Sequence, residues 1–328
     1  MCGNRVLASG ILGLALVVVG LPGPGWAGEK VTMKIGHIVD TKHPYHVGAE
    51  YFAKRLRELS NGRIEPEVYP NGQLGAEREM AEGIQFGTLE SAAVTSAITS
   101  RFVKEMEIFS LPFLFRDFSH VYGVLDSPFG EELNQAAIKK GFRILGIWVG
   151  GTRSVYARKP ISDLASLKGL KIRTIESPIV VATWKALWTI PTPTPMSEVY
   201  TAIQQGMVDG GEGNVISYNT MKFDEVAPYV SHIKYLTTIQ PLLVGEKFFQ
   251  AQPPELQKAI LQAGKESVAV ERKANEDDEA KVVDILRAKG RTVVVPDVAP
   301  FQKAVESVYE QYGKSIGIEK IRWIQGYK

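Results

Sequence analysis

Arg173 and Arg153 are the residues whose type and setting best suit chemistry, and that chemistry is the capture of an anion. Arg173 closes the stretch Leu167–Arg173 (LKGLKIR), where Leu170, Ile172 and Ile175 alternate with Lys171, Arg173 and Glu176. A period of two is that of a half-buried strand. A helical pattern resumes at Val180, which sets Arg173 near a strand-to-helix edge, where open α/β sheets hold their ligands. Its guanidinium is a rigid fork of donors that matches a carboxylate in two-point contact. Arg153 ends another apolar run, twenty residues earlier, and offers a second positive group. The plainer alternative for either arginine is a local ion pair, or a strand-end position with its head in water.

Glu77 falls at a predicted helix start, where the helix N-terminus favours a carboxylate; facing a cleft, it would accept hydrogen bonds from ligand hydroxyls. Glu176 has the same two readings, and could instead hold an arginine in place. His37, His43 and His46 are closely spaced, and His43-x-x-His46 has the look of half a metal site. Zinc needs three or four convergent ligands, and the sole cysteine is Cys2, so no metal is expected. His37 then lines the cleft or bonds locally, and His43 with Pro44 shapes a helix start. Trp184 and Trp188, four apart, read as core packing. G-x-S-x-G, H-E-x-x-H and Walker patterns do not occur, and Gly36 and Gly48 are too dispersed for a dinucleotide loop. The sequence shows neither a nucleophile with its base nor a cofactor motif; no enzyme activity and no cofactor are expected.

Bulk properties narrow the classes further. The chain has 328 residues, 45% apolar, with 38 basic against 36 acidic side chains and a formal charge of +2. Length suggests about two domains, and the charge balance gives no nucleic-acid signature. Residues 1–27 have the layout of a secretory signal: Arg5, the apolar run Val6–Val19, and small residues around Gly25-Trp26-Ala27. A retained anchor is the alternative, but the run is short for a span. The mature protein is expected outside the cytoplasm.

These side chains need elements to position them. Strands are predicted at Val31–His37, Arg63–Tyr69 (an edge or bulged strand because of Pro66), Leu89–Thr95, Phe142–Val149, Ser154–Ala157, Leu170–Ile175, Val208–Gly210, Gln240–Phe249 and Arg291–Val295. Helices are predicted at Tyr45–Leu59, Glu77–Phe86, Ser119–Leu125, Phe129–Lys139, Ile179–Trp188, Ser197–Gln205, Val215–Phe223 and Phe301–Tyr312. Pro191, Pro193 and Pro195 argue for an extended linker. Pro253–Ala288 reads as one long or broken helix without a heptad. The alternation suits two α/β lobes with more than one crossing, closing over a ligand about a hinge.

Five motifs in order, Tyr69–Gly75 (YPNGQLG), Leu111–Phe113 (LPF), Gly169–Arg173 (GLKIR), Glu198–Asp209 (EVYTAIQQGMVD) and Pro253–Gln257 (PPELQ), make the chain from about Val31 to Gly317 resemble a known family. It resembles the substrate-binding proteins of tripartite ATP-independent periplasmic (TRAP) transporters, often named for their C4-dicarboxylate member. The resemblance implies an α/β, periplasmic-binding-protein-like fold: two lobes, 30–150 with 239–278 and 151–238 with 279–328, a hinged cleft, and a long helix spanning both. It implies delivery of an organic acid to small and large membrane subunits driven by an ion gradient, by a receptor acting as a monomer. The carboxylate-clamping arginine matches Arg173, and a second pocket arginine matches Arg153. His37 or Ile38, Glu77 and Thr95 match one wall, with Glu176 opposite. Where relatives read D-G-x-E-N, this chain reads Asp209-Gly210-Gly211-Glu212-Gly213-Asn214, so Asn214 comes one residue late. Trp188 stands where relatives commonly carry Gly and is expected to reshape the region below the pocket. A hydroxylated monocarboxylate, such as a uronic or aldonic acid, is the expected ligand. A dicarboxylate or 2-oxo acid is the alternative; an ATP-driven importer's binding protein, a metal carrier and an extracytoplasmic enzyme are the rival classes.

Overall fold

The computed structural model describes residues 1–2 and 30–328; the expected signal segment lies outside the described residues. In chain order the elements are β1 (Val31–Gly36), α1 (Pro44–Leu59), β2 (Ile64–Tyr69), α2 (Glu77–Phe86), β3 (Ser91–Ala93), α3 (Ser96–Thr99), α4 (Phe118–Asp126), α5 (Pro128–Ile138) and β4 (Phe142–Ala157). Then come β5 (Lys171–Thr174), α6 (Pro178–Ala186), β6 (Ile190–Pro193), α7 (Val199–Gln204), β7 (Gly210–Asn214), α8 (Val215–Thr220), β8 (Tyr229–Gly245), α9 (Glu246–Gln250), α10 (Pro254–Ala288), β9 (Thr292–Val294), α11 (Ala299–Ala304), α12 (Glu306–Ile316) and α13 (Ile318–Gly326). No described helix is long and apolar enough to cross a membrane.

The strands run in the order β2-β1-β3-β8-β4-β7-β5-β6, with β9 added to β8. Both β4 and β8 are long enough to serve two lobes. Their first-lobe ends, near Phe142 and Gly245, carry β3, β1 and β2; their other ends, near Ala157 and Tyr229, carry β7, β5, β6 and β9. Between the lobes the pairing slips: Val149 faces Ile239 but Thr152 faces Thr237, so β4 carries one extra residue there. Such a bulge bends its strand, and Gly151 sits in it at φ +81°, a conformation glycine adopts without a Cβ penalty.

Helix α10 bridges the lobes, packing on α1 and β4 on one side and on α8 and β9 on the other. Its first-lobe core joins Phe52, Leu56, Trp148 and Ile260; its far end buries Val282 and Leu286 with Tyr156 and Tyr218. The last helices touch both halves: the Tyr309 hydroxyl donates to the Pro112 carbonyl at 2.7 Å and Arg116 to the carbonyls of Gln325 and Tyr327 at 2.9 and 2.6 Å, while the Tyr312 hydroxyl donates to the Pro178 carbonyl at 3.4 Å.

Several sequence expectations change. The strands predicted before and after Gly150-Gly151 are one strand, β4, because a bulge absorbs both glycines without breaking the ladder. The proline run is not all linker: Ile190–Pro193 pairs in parallel with β5 as the sheet's outermost strand, where a missing N–H is tolerated. Strand β8 begins at Tyr229, well before Gln240, and α13 was not predicted at all. Trp188 lies half exposed at φ +66° just past α6. It is therefore not the core residue expected beside Trp184, and it is not among the residues that line the cleft.

Candidate functional site

Arg173 is the third residue of β5, flanked by β6 and the glycines of β7. Its Nε and Nη2 both donate to the Thr194 carbonyl, at 2.8 and 2.5 Å, which fixes the plane of the fork. The rest of the guanidinium has no protein acceptor among the described residues, and no described carboxylate pairs with it. It is 3% exposed, and burial lowers its pKa, a shift that Tyr156 and Glu212 only partly offset. A buried, uncompensated cation is costly until an anion arrives.

Arg153, in the middle of β4, is in the opposite condition. Its Nε and Nη2 donate to the two carboxylate oxygens of Glu212 at 2.8 and 2.7 Å. Glu212 is fully buried and also accepts from the Tyr235 hydroxyl at 2.6 Å and the Ile175 N–H at 3.0 Å. Burial alone would raise the Glu212 carboxyl, but Arg153 outweighs it and holds the group below its ordinary value. The local ion pair left open for both arginines is therefore Arg153's state and not Arg173's.

The facing wall comes from the first lobe. Glu77, the first residue of α2, accepts from the Thr95 N–H at 2.7 Å and the Thr95 hydroxyl at 3.0 Å. Burial raises its pKa against these bonds. Asn214 ends β7 and caps α8, its Oδ1 accepting from the Ser217 N–H at 2.6 Å. Between the walls lies an outer chamber of about 280 Å³, lined by Ile38, Glu77, Arg78, Arg173, Glu176 and Met196 among others. An inner chamber of about 30 Å³ is lined by Tyr45, Thr95, Arg153, Arg173, Asn214 and Ser217 among others. Ile38, Glu77, Arg173, Ile175 and Met196 border both, so the two adjoin across Arg173 and its neighbours.

Six of the seven predicted residues thus meet around one gap, Glu176 at its outer rim and Asn214 at its base. His37 does not reach it: fully buried, its Nε2 bonds His46 Nδ1 at 3.0 Å, and the next residue, Ile38, takes the wall position. His43 is the N-cap of α1, its Nδ1 accepting from the Tyr45 N–H at 3.2 Å. No group of three or more His, Cys, Asp or Glu suited to a metal occurs among the described residues. The sequence reading missed Glu212 as a partner, and Tyr45 and Ser217 as lining residues; only the acidic residue within Asp209–Asn214 gave any signal. A larger groove of about 880 Å³ lies between Phe129, Ile316 and Trp323. Its Lys320 already pairs with Glu132 at 2.9 Å, and it gathers no buried cation.

The chain matches the model of bacterial extracellular solute-binding proteins, family 7, over residues 35–315. A solute-binding protein of Verminephrobacter eiseniae is 35% identical, with 91% of each chain covered. A TRAP periplasmic solute-binding protein from Polaromonas sp. JS666, bound to D-erythronate, superposes with a TM-score of 0.89 at 31% identity, covering 91% of this chain and 99% of that one. Another from Sulfurospirillum deleyianum, bound to succinate, gives 0.86 at 35% identity over 92% and 100%.

Proposed function

Because the chain belongs to family 7 of the bacterial extracellular solute-binding proteins, the receptors of TRAP transporters, we propose that its gap captures a hydroxylated monocarboxylate of the aldonic or uronic kind. The acid is handed to a permease of small and large membrane subunits driven by an ion gradient. The receptor works in the periplasm as a monomer, after residues 1–27 are removed, and releases its ligand unchanged. Residues 30–150 with 239–278 form one lobe and 151–238 with 279–328 the other, bending at the bulge around Gly151.

One observation carries this reading: Arg173 is a buried cation, oriented by Thr194, without a carboxylate partner, on a gap between two lobes. The ligand carboxylate completes its fork. Arg153 orients rather than adds net charge, because Glu212 already neutralises it. Glu77, Thr95, Asn214 and the rim residue Glu176 then suit hydroxyls, since a second carboxylate would meet like charge in a low-dielectric gap. The D-erythronate on the Polaromonas relative fits this preference. The succinate on the Sulfurospirillum relative supports a second reading, a dicarboxylate receptor, which would require Arg153 to loosen from Glu212.

Calorimetry with D-erythronate, D-glucuronate and succinate separates the two. At least one hydroxylated acid should bind more tightly than succinate, and Arg173→Ala should weaken it at least about 100-fold, roughly 3 kcal/mol for a buried charge-assisted pair. Unchanged affinity in Arg173→Ala would remove the reading.

A further inference from the structure

Two side chains on the inner chamber carry hydroxyls that nothing among the described residues satisfies. Tyr45, on α1 in the first lobe, and Ser217, on α8 in the second, line the same small space as Arg173. They are 2% and 1% exposed, and neither hydroxyl oxygen has a hydrogen-bond partner. Their surroundings are otherwise well ordered. The Ser217 N–H is taken by Asn214, and the Tyr45 ring is stacked on Trp148 with centroids 6.4 Å apart. Gly150 makes the room: a Cβ there would sit 1.6 Å from the Tyr45 oxygen. A buried hydroxyl without a partner costs stability that apolar residues of the same shape would not. Two of them, one from each lobe and both on residues that border one chamber, mark a place where a bound polar group belongs.

We propose that Tyr45 and Ser217 form a specificity subsite that reads a neutral oxygen on the ligand, beyond the carboxylate held by Arg173, and that bridges the two lobes. The inference rests on the receptor reading above and deepens it. The occupant is a hydroxyl or carbonyl and not a second carboxylate, because the carboxyl of Glu77 borders the chamber. A chamber of about 30 Å³ has room for roughly two oxygen-sized groups. A site built to hydrogen-bond a ligand hydroxyl rejects the analogue lacking it, since its own buried donors are then left unpaired. A group bonded to both lobes exists only in the closed state, so the same contact that discriminates also favours closure.

The test is calorimetry with D-erythronate and the three dihydroxybutanoates that each lack one of its hydroxyls, on the full chain and on Tyr45→Phe and Ser217→Ala. Wild-type protein should bind one of the three at least about tenfold more weakly than D-erythronate. Each variant should weaken D-erythronate by about tenfold, leave that one deoxy acid unmoved, and keep its melting temperature unligated. If the variants weaken all four acids alike, or none, the hydroxyls only pack and the subsite falls. If wild-type protein binds none of the acids, the receptor reading and the subsite fall together; if binding depends on Arg173 but not on Tyr45 or Ser217, the subsite alone falls.

Discussion

Arg153 and Arg173 are similarly buried, yet their removal has opposite consequences for the empty protein. Arg153→Ala leaves Glu212 at 0% exposure with only the Tyr235 hydroxyl and the Ile175 N–H to hold its charge. Breaking a buried pair from one side costs about 3–5 kcal/mol. With two donors remaining, denaturant unfolding should show a loss of about 3 kcal/mol. Arg173→Ala removes a charge that burial already disfavours, so its unfolding free energy should stay within about 1 kcal/mol of wild type. Equal losses in the two variants would mean that the ion pair is not what separates these residues. Arg173 was legible because the alternation around it is local, and a strand end is visible in six residues of sequence. The condition of Arg153 was not, because Glu212 lies 59 positions away on a neighbouring strand. Burial facing a chamber, which singles out Tyr45 and Ser217, leaves no trace in residue type.

At the scale of elements, the proposed hinge is where β4 meets one face of α10. Glu271 accepts from the Val149 N–H at 3.0 Å, and Glu279, two turns along, accepts from the Thr152 hydroxyl. Asn275 and Glu279 flank Gly151 so closely that a Cβ there would meet their oxygens at 3.3 and 2.7 Å. The spacing of four keeps all three on one helix face. The long helix itself was legible from an unbroken run of helix formers, whereas its registration against the bulge was not. The Gly150-Gly151 pair reads as a chain break until the partner strand is known, and the prolines of β6 read as linker until the strand is known to be outermost. Burial pushes the Glu271 carboxyl from 4.5 up to about 8, although the Val149 N–H and Arg272 favour its charge. Between those values the folded protein keeps a proton that the unfolded chain has released. The stability this group contributes is therefore complete below pH 4.5, falls as the pH rises, and levels off above 8. His37 and His43 act in the other direction. Burial lowers them from 6.5 to about 3 and about 4, so their share is complete above 6.5 and is lost as the pH falls toward those values. Glu271→Gln keeps an acceptor for Val149 and removes only the first slope. The variant's stability relative to wild type should improve steadily from pH 5 to 8 in urea titrations; a difference that does not vary with pH would show that Glu271 ionises normally.

The whole molecule is two α/β lobes that cannot come apart as independent units. The strands β4 and β8 belong to both, α10 packs on both, and β4 and β8 pair on either side of the bulge. The proposed bending at that bulge would open the gap while leaving most of the shared pairing in place. Melting one lobe would instead strip β3 from β8 on one side, or β7 and β9 from β4 and β8 on the other, and would expose the apolar face of α10. The closing helices add to this coupling, since α12 reaches the first lobe through Tyr309 and Pro112 and the second through Tyr312 and Pro178. The proposed bending is thus local, whereas loss of structure is expected to be global. Scanning calorimetry should give one transition whose calorimetric and van't Hoff enthalpies agree. An acid that grips Arg173 from one lobe and Tyr45 from the other should move that single transition upward as a whole, by about 2.7 kcal/mol of stability at a hundredfold excess over its dissociation constant. Two resolved peaks, with only one shifted by the acid, would mean that the lobes fold separately and that the shared strands do not couple them.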